Sequence, residues 1–270
     1  MNPPPARTPR VAAIAAQWLP PAALVATVFG LWEGLVRGLA VPWWLLPPPS
    51  VIATKIVESR SLLLSHTLVT AEEVLAGFAV ALVAGVLLAI GIAYSKLLER
   101  AVYPFVIASQ TIPIIAIAPL LLVWIGYGIQ PKIIVVALIS FFPIVVNMVD
   151  GLRSVDADTV RMLRTLGASR WQVFRLLQVP TSLPYLFSGA KVAVAVAVIG
   201  AVIGEWVGAS AGLGYLMVQS APRFQTSMVF AAIIVLSVIG VTLFGLVSLL
   251  ERRALAWHHT AMRESALGRR

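Results

Sequence analysis

Cysteine is absent from the 270 residues, which excludes disulfides and thiolate metal sites and leaves the redox compartment open. Charge is scarce too. Only 11% of the residues are charged, against about 25% in soluble domains. The three histidines form no H-E-x-x-H and no ligand cluster, so nothing points to a metal. The four lysines follow Thr54, Ser95, Pro131 and Ala190, so the Gly-Lys pair of a P-loop does not occur and the chain is not its own P-loop ATPase. What fills the chain is apolar: 60% of the residues, with a mean hydropathy of +0.94. That composition predicts an all-α polytopic membrane protein, because lipid cannot satisfy an open backbone and the alternation of a barrel is missing.

A span needs about 20 apolar residues to cross ~30 Å of hydrocarbon. Six stretches qualify, roughly Trp18–Gly38, Val74–Tyr94, Val102–Tyr127, Ile133–Val149, Leu183–Trp206 and Met228–Leu250. Residues 1–17 read as a cytoplasmic arm, 18–257 as the membrane domain and 258–270 as a basic cytoplasmic tail. Met1–Arg10 holds three consecutive prolines and two arginines, and no small-residue cleavage site closes the first apolar run. That run is expected to be an uncleaved helix. Between the first two spans, Leu46-Pro-Pro-Pro-Ser50 is a rigid start. Ser50 is expected to cap a short interface-lying helix from Val51.

The excess of base, 20 Lys and Arg over 11 Asp and Glu, fits the rule that cytoplasmic loops are basic better than it fits nucleic acid. With both termini inside, fourteen basic residues fall on the cytoplasmic side, Arg7, Arg10, Arg263, Arg269 and Arg270 among them. Four, Lys55, Arg60, Lys132 and Arg223, fall outside. Trp43, Trp44, Trp124 and Trp206 would mark the outer interface, Trp18 and Trp257 the inner one.

The longest inside loop, residues 150–182, carries its own helix signals. Asp156 or Asp158 can cap a helix with Val160, Leu163 and Leu166 on one face, which Gly167 ends. Ser169 can cap a second helix, Arg170–Gln178, expected to stop at Pro180. Two short amphipathic helices either lie on the membrane surface or dock a cytoplasmic partner. A DNA-binding helix-turn-helix is disfavoured, since membrane tethers both ends and no third helix completes a core.

The loop resembles the EAA loop of bacterial ABC-importer permeases, E-A-A-x3-G-x9-I-x-L-P. Gly167 is followed by nine residues and then Leu177-Gln178-Val179-Pro180. The spacing matches, while Arg161-Met162-Leu163 stand at the E-A-A positions. Pro113, Pro119, Phe141-Phe142-Pro143, Gly151–Asp156 and the string Gly204–Tyr215 extend the likeness, which is to the sulfonate/nitrate/taurine-type permeases. The resemblance implies a type I importer permease of six helices in a bacterial inner membrane, paired with a second copy of itself. It also implies a periplasmic solute-binding protein and a cytoplasmic ATPase that alone binds ATP and Mg. The ATPase would dock on Asp158, Val160, Arg161, Leu163, Arg164, Leu166, Gly167, Ala168, Ser169, Arg170 and Pro180. The string around Glu205 resembles members assigned to heterocyclic vitamin precursors, the pyrimidine of thiamine or riboflavin. Sulfonate, taurine or nitrate is the alternative within the class.

Polar groups inside spans are costly and often functional. Gln110 and Thr111, beside Pro113, are candidates for the translocation path, with Asn147 and Glu205 behind them. Glu33 and Arg37 can pair across one turn, and Lys191 can reach the inner interface. Only Glu33 and Glu205 are read as acids inside spans, which counts against an ion-coupled secondary transporter, the alternative from another class. Gly30, Gly34 and Gly38, and Gly200, Gly204, Gly208 and Gly212, recur every four residues, suiting close packing within the chain or across a dimer. Gly208-Ala209-Ser210-Ala211-Gly212 satisfies G-x-S-x-G, but a helix precedes it, so no catalytic residue is assigned.

Overall fold

The computed structural model describes residues 10–255, with side chains from Leu19 onward. Arg7, Trp257 and the tail 258–270 lie outside the described residues, as do the side chains of Arg10 and Trp18. The helices run α1 (Arg10–Gly38), α2 (Pro49–Glu58), α3 (Arg60–Tyr94), α4 (Lys96–Ala108), α5 (Ile114–Ile125), α6 (Gln130–Arg153), α7 (Ala157–Thr165), α8 (Arg170–Val173), α9 (Val179–Trp206), α10 (Leu213–Ser220) and α11 (Thr226–Ala254). No strand occurs among the described residues. Five helical stretches are long and apolar enough to cross a membrane. The bent pair α4 and α5 passes the same test as one unit and makes a sixth when counted as a single broken span.

The chain divides into two compact units, Met1–Arg60 with Gln219–Ala231 and Ser61–Val218 with Ala232–Arg270. In the first, Arg37 Nε bonds Glu33 Oε1 at 2.6 Å, as the i,i+4 spacing predicts. Ser50 does not cap α2. Pro48 occupies the cap position with no side-chain bond. Ser50 instead gives its hydroxyl and its N–H to the Glu33 carboxylate, at 2.7 and 3.0 Å. That acceptor, already fixed on α1, outcompetes the local turn. Trp32 packs on Phe29 and Phe230. A methyl at Gly30, Gly34 or Gly38 would meet nothing within 4 Å among the described residues.

The core of the second unit is α6 against α9, with α3 alongside. Membrane helices gain little from apolar attraction to each other, so they associate through small residues that let backbones approach. Added Cβ atoms at Gly189 and Gly200 would lie 2.6 Å from Pro143 O and 2.7 Å from Ile139 Cγ2 of α6. On α3 the buried stripe Gly77, Ala81, Gly85 and Ala89 does the same, with Gly85 facing Ile144. The second glycine ladder is real only through Gly204. The helix ends at Trp206, and Gly208 and Gly212 sit beyond it with φ +103° and +118°, where a side chain would strain the backbone.

Three further differences from the sequence reading have plain causes. The second span begins at Arg60, not Val74, because no glycine or proline interrupts residues 60–76 and polar Ser65, His66, Thr70 and Glu73 are absorbed by helix contacts. Pro180 does not end a helix. Helix runs from Arg170 to Trp206, with a π turn at Phe174–Gln178 whose altered bonding tolerates the missing proline N–H. Lys191 takes a partner that sequence reading did not name, Glu251 of α11, at 2.9 Å.

Candidate functional site

The inside loop folds as two capped helices. Asp156, not Asp158, caps α7. Its Oδ2 accepts from Thr159 Oγ1 at 2.7 Å and from Thr159 N at 2.9 Å. Those two bonds hold its carboxyl below the usual aspartate range. Asp158 pairs with Arg161 at 3.1 Å on the surface. The end of α7 is a Schellman turn: Ala168 N bonds Leu163 O and Gly167 N bonds Arg164 O, both at 3.0 Å, with Gly167 at φ +88°. Ser169 and Gln172 then form a reciprocal capping box for α8. Val160 and Leu163 are half-buried, while Leu166 is 76% exposed next to the exposed Gly167 and Arg170.

Both ends of this loop are fastened to membrane helices. Arg153, at the end of α6, bonds Glu99 of α4 at 2.8 Å and lies over the Tyr103 ring. At the other end the Tyr94 hydroxyl bonds the Gln178 carboxamide inside the π turn, and Phe174 packs edge-on to Tyr94. The α7–α8 tip is thus joined to α4 through Arg153 and to α9 through continuous helix.

α4 leads to the bend. It closes in a 3-10 turn at Ser109–Thr111, Ile112 is extended, and α5 leaves at 103°. The break falls at Ile112-Pro113, where Ile112 takes the extended conformation that a following proline favours, while Pro119 is accommodated inside α5. Ser109 and Thr111 hydroxyls bond the Val106 and Ala108 carbonyls, satisfying backbone that the break frees. Beside the bend is a cavity of about 540 Å³. Gln110 and Pro113 line it with Ser109, Phe105 and Phe141, and no charged residue is among its lining. Thr111 is not in that lining. Asn147 turns its amide to the Pro143 carbonyl, at 2.8 Å.

Glu205 lies elsewhere, in a buried polar cluster. Lys132 of α6 bonds Glu73 of α3 at 2.6 Å, and Thr70 donates to Glu205 Oε1 at 2.6 Å. Glu205 Oε2 accepts from the Gly214 and Tyr215 amides at the start of α10. Gly212 N and Leu213 N donate to His66 Nδ1 and Thr70 Oγ1, both at 2.9 Å. A Cβ at Gly212 would overlap the Glu205 carboxylate, so the glycines of this turn are there for close approach. Sequence reasoning missed Thr70, Glu73 and Lys132. The available signal was a helix-compatible run from Arg60 that places Thr70, Glu73 and Gly77 on one face.

Comparison with known proteins bears on all of this. Residues 81–255 match the family model described as binding-protein-dependent transport system inner membrane component. The formylaminopyrimidine transport permease ThiX of Halalkalibacterium halodurans is 39% identical over 241 residues, covering 89% of this chain and 96% of the relative. The riboflavin transport system permease RibX of Chloroflexus aurantiacus is 37% identical, covering 88% and 89%. Among solved structures, an inward-facing MetNI methionine ABC transporter superposes with a TM-score of 0.65 at 19% identity, over 73% of this chain and 97% of that one, a likeness of fold.

Proposed function

The chain belongs to the family of binding-protein-dependent transport system inner membrane components, and from that premise we propose that it is half of a homodimeric pore importing a small neutral heterocycle, a vitamin precursor of the pyrimidine or flavin type. It is an ABC-importer permease subunit of the inner membrane and not an enzyme, with the ATPase on a separate subunit. In this reading both termini and the α7–α8 loop face the cytoplasm, a placement that the distribution of basic residues supports. The ATPase seats on the loop from Asp158 to Arg170, and a periplasmic binding protein delivers solute to the other face. Closure of the ATP-loaded ATPases moves the loop, and its fastenings at Arg153 and through α9 carry the motion to the bend. The pore thereby exchanges between two packings, each favoured by a different ligand.

The observation that supports this substrate class is the uncharged lining of the cavity at the bend. Phe105 and Phe141 offer flat apolar contact, and Gln110 and Ser109 offer hydrogen bonds. An anion there would lack a partner, and an unpaired charge in mid-membrane costs about 3 kcal/mol or more. That argues against sulfonate, taurine or nitrate.

The test is uptake by proteoliposomes that hold the permease with its ATPase and binding protein. ATP-dependent accumulation of a formylaminopyrimidine or riboflavin, with taurine and nitrate excluded, is the expected result. Accumulation of the anions alone would overturn the substrate reading, and a permease that copurifies with no P-loop ATPase would overturn the proposed partner.

A further inference from the structure

The cluster at the end of α9 holds two carboxyl groups and one ammonium. Three of its four carboxylate oxygens have donors. Glu73 Oε1 takes the Lys132 ammonium, Glu205 Oε1 takes the Thr70 hydroxyl, and Glu205 Oε2 takes two backbone amides. The fourth, Glu73 Oε2, has none and is sealed from solvent. The Glu73 side chain is fully buried, and Glu205 is 1% exposed.

The protein groups that could donate to this oxygen are few. From α6 the charged neighbour is Lys132, already committed to Glu73 Oε1. From α3 the titratable neighbours are His66, whose Nδ1 is an acceptor for Gly212 N, and Glu72, which points to the surface. From α9 it is Glu205 itself. No lysine or arginine among the described residues forms an ion pair with Glu205. Thr70, one turn before Glu73 on α3, bonds Glu205 Oε1, so both buried carboxyls belong to one sealed cluster, and neither has a hydrogen to offer if both are ionised. Two like charges buried in one site repel each other far more strongly than they would in water. A buried acceptor left empty costs about 1–3 kcal/mol more.

We infer that one proton is shared between the Glu73 and Glu205 carboxyl groups, so that Glu73, Lys132 and Glu205 form a neutral unit inside the membrane. The hydrogen supplies the donor that Glu73 Oε2 lacks. One negative and one positive charge remain and cancel. The unit fastens α3, α6, α9 and the turn before α10 together without leaving a net charge in the protein interior. Its residues are not among those lining the cavity at the bend, so the proton is a resident structural one and solute uptake does not consume it.

The experiment is infrared spectroscopy of the transporter complex in lipid bilayers at neutral pH, read at the carbonyl stretch of undissociated carboxyl groups. Glu73→Gln replaces the protonated acid by a group of the same shape with a donor of its own. The expected result is such a band in the wild type that is lost in Glu73→Gln, with ATP-dependent uptake kept within about twofold, less than 0.5 kcal/mol. A control, Glu33→Gln, leaves the band in place. A wild type without the band, or a band that survives Glu73→Gln, overturns the inference. So does a Glu73→Gln protein that fails to fold, since glutamine reproduces what the shared proton provides.

Discussion

Lys132 is the residue whose charge the protein can least spare. It is 12% exposed and carries the one positive charge of the buried cluster. Removing one partner of a buried pair typically costs about 3–5 kcal/mol. Lys132→Ala is expected to lower the melting temperature of the solubilised protein steeply, and a much smaller fall in Lys132→Arg, which keeps the charge, would identify charge as the cause. Asp156 works by a different route. Its carboxyl is held below the ordinary aspartate range by Thr159, so the cap it gives α7 is complete above that range and is lost as pH falls through the depressed value. Amide exchange at Thr159 and Val160 should accelerate only in strong acid, and Asp156→Asn should flatten that response.

Among the elements, the Schellman turn and the bent span each rest on a single residue. Gly167 at φ +88° can accept alanine for about 1–2 kcal/mol of left-handed strain, but proline cannot reach that φ at all. Gly167→Pro is expected to leave insertion intact and to cut uptake more than tenfold while ATP is still hydrolysed. Equal uptake by the variant and wild type would refute a coupling role for the loop. Overpacking the α6–α9 seam is an independent case. Gly200→Leu forces its side chain into Ile139 and the Val136 backbone, with an expected loss of about 1–3 kcal/mol. That loss should appear in melting rather than in the affinity for solute.

For the whole molecule, the absence of cysteine is an experimental advantage. Ser169→Cys and Thr54→Cys each create a single thiol in an otherwise thiol-free chain. A membrane-impermeant reagent applied from outside should label Thr54→Cys in intact cells, and Ser169→Cys only after lysis. The reverse pattern would invert the proposed topology. Gln110→Ala should raise the KM for uptake several-fold at an unchanged melting temperature, as expected for a residue that touches solute in the cavity.

Much of this was legible along the chain because it depends on neighbours a few residues apart. Apolar runs of membrane length, a cap at Asp156 or Asp158, the cap at Ser169, the turn at Gly167 and the Glu33–Arg37 pair are local, and the sequence alone determined them. Composition and the spacing from Gly167 to Pro180 likewise carried the family. Only the tertiary structure decided where Glu73 goes. Its partners Lys132 and Glu205 lie on α6 and α9, and whether a polar residue near a span is solvated or sealed depends on what packs against it. The same holds for Ser50, drawn from a cap to the Glu33 carboxylate, and for Lys191, whose partner is Glu251 on α11. A charge in lipid takes the best partner within reach. Reach is set by helix packing, which no short stretch of sequence contains.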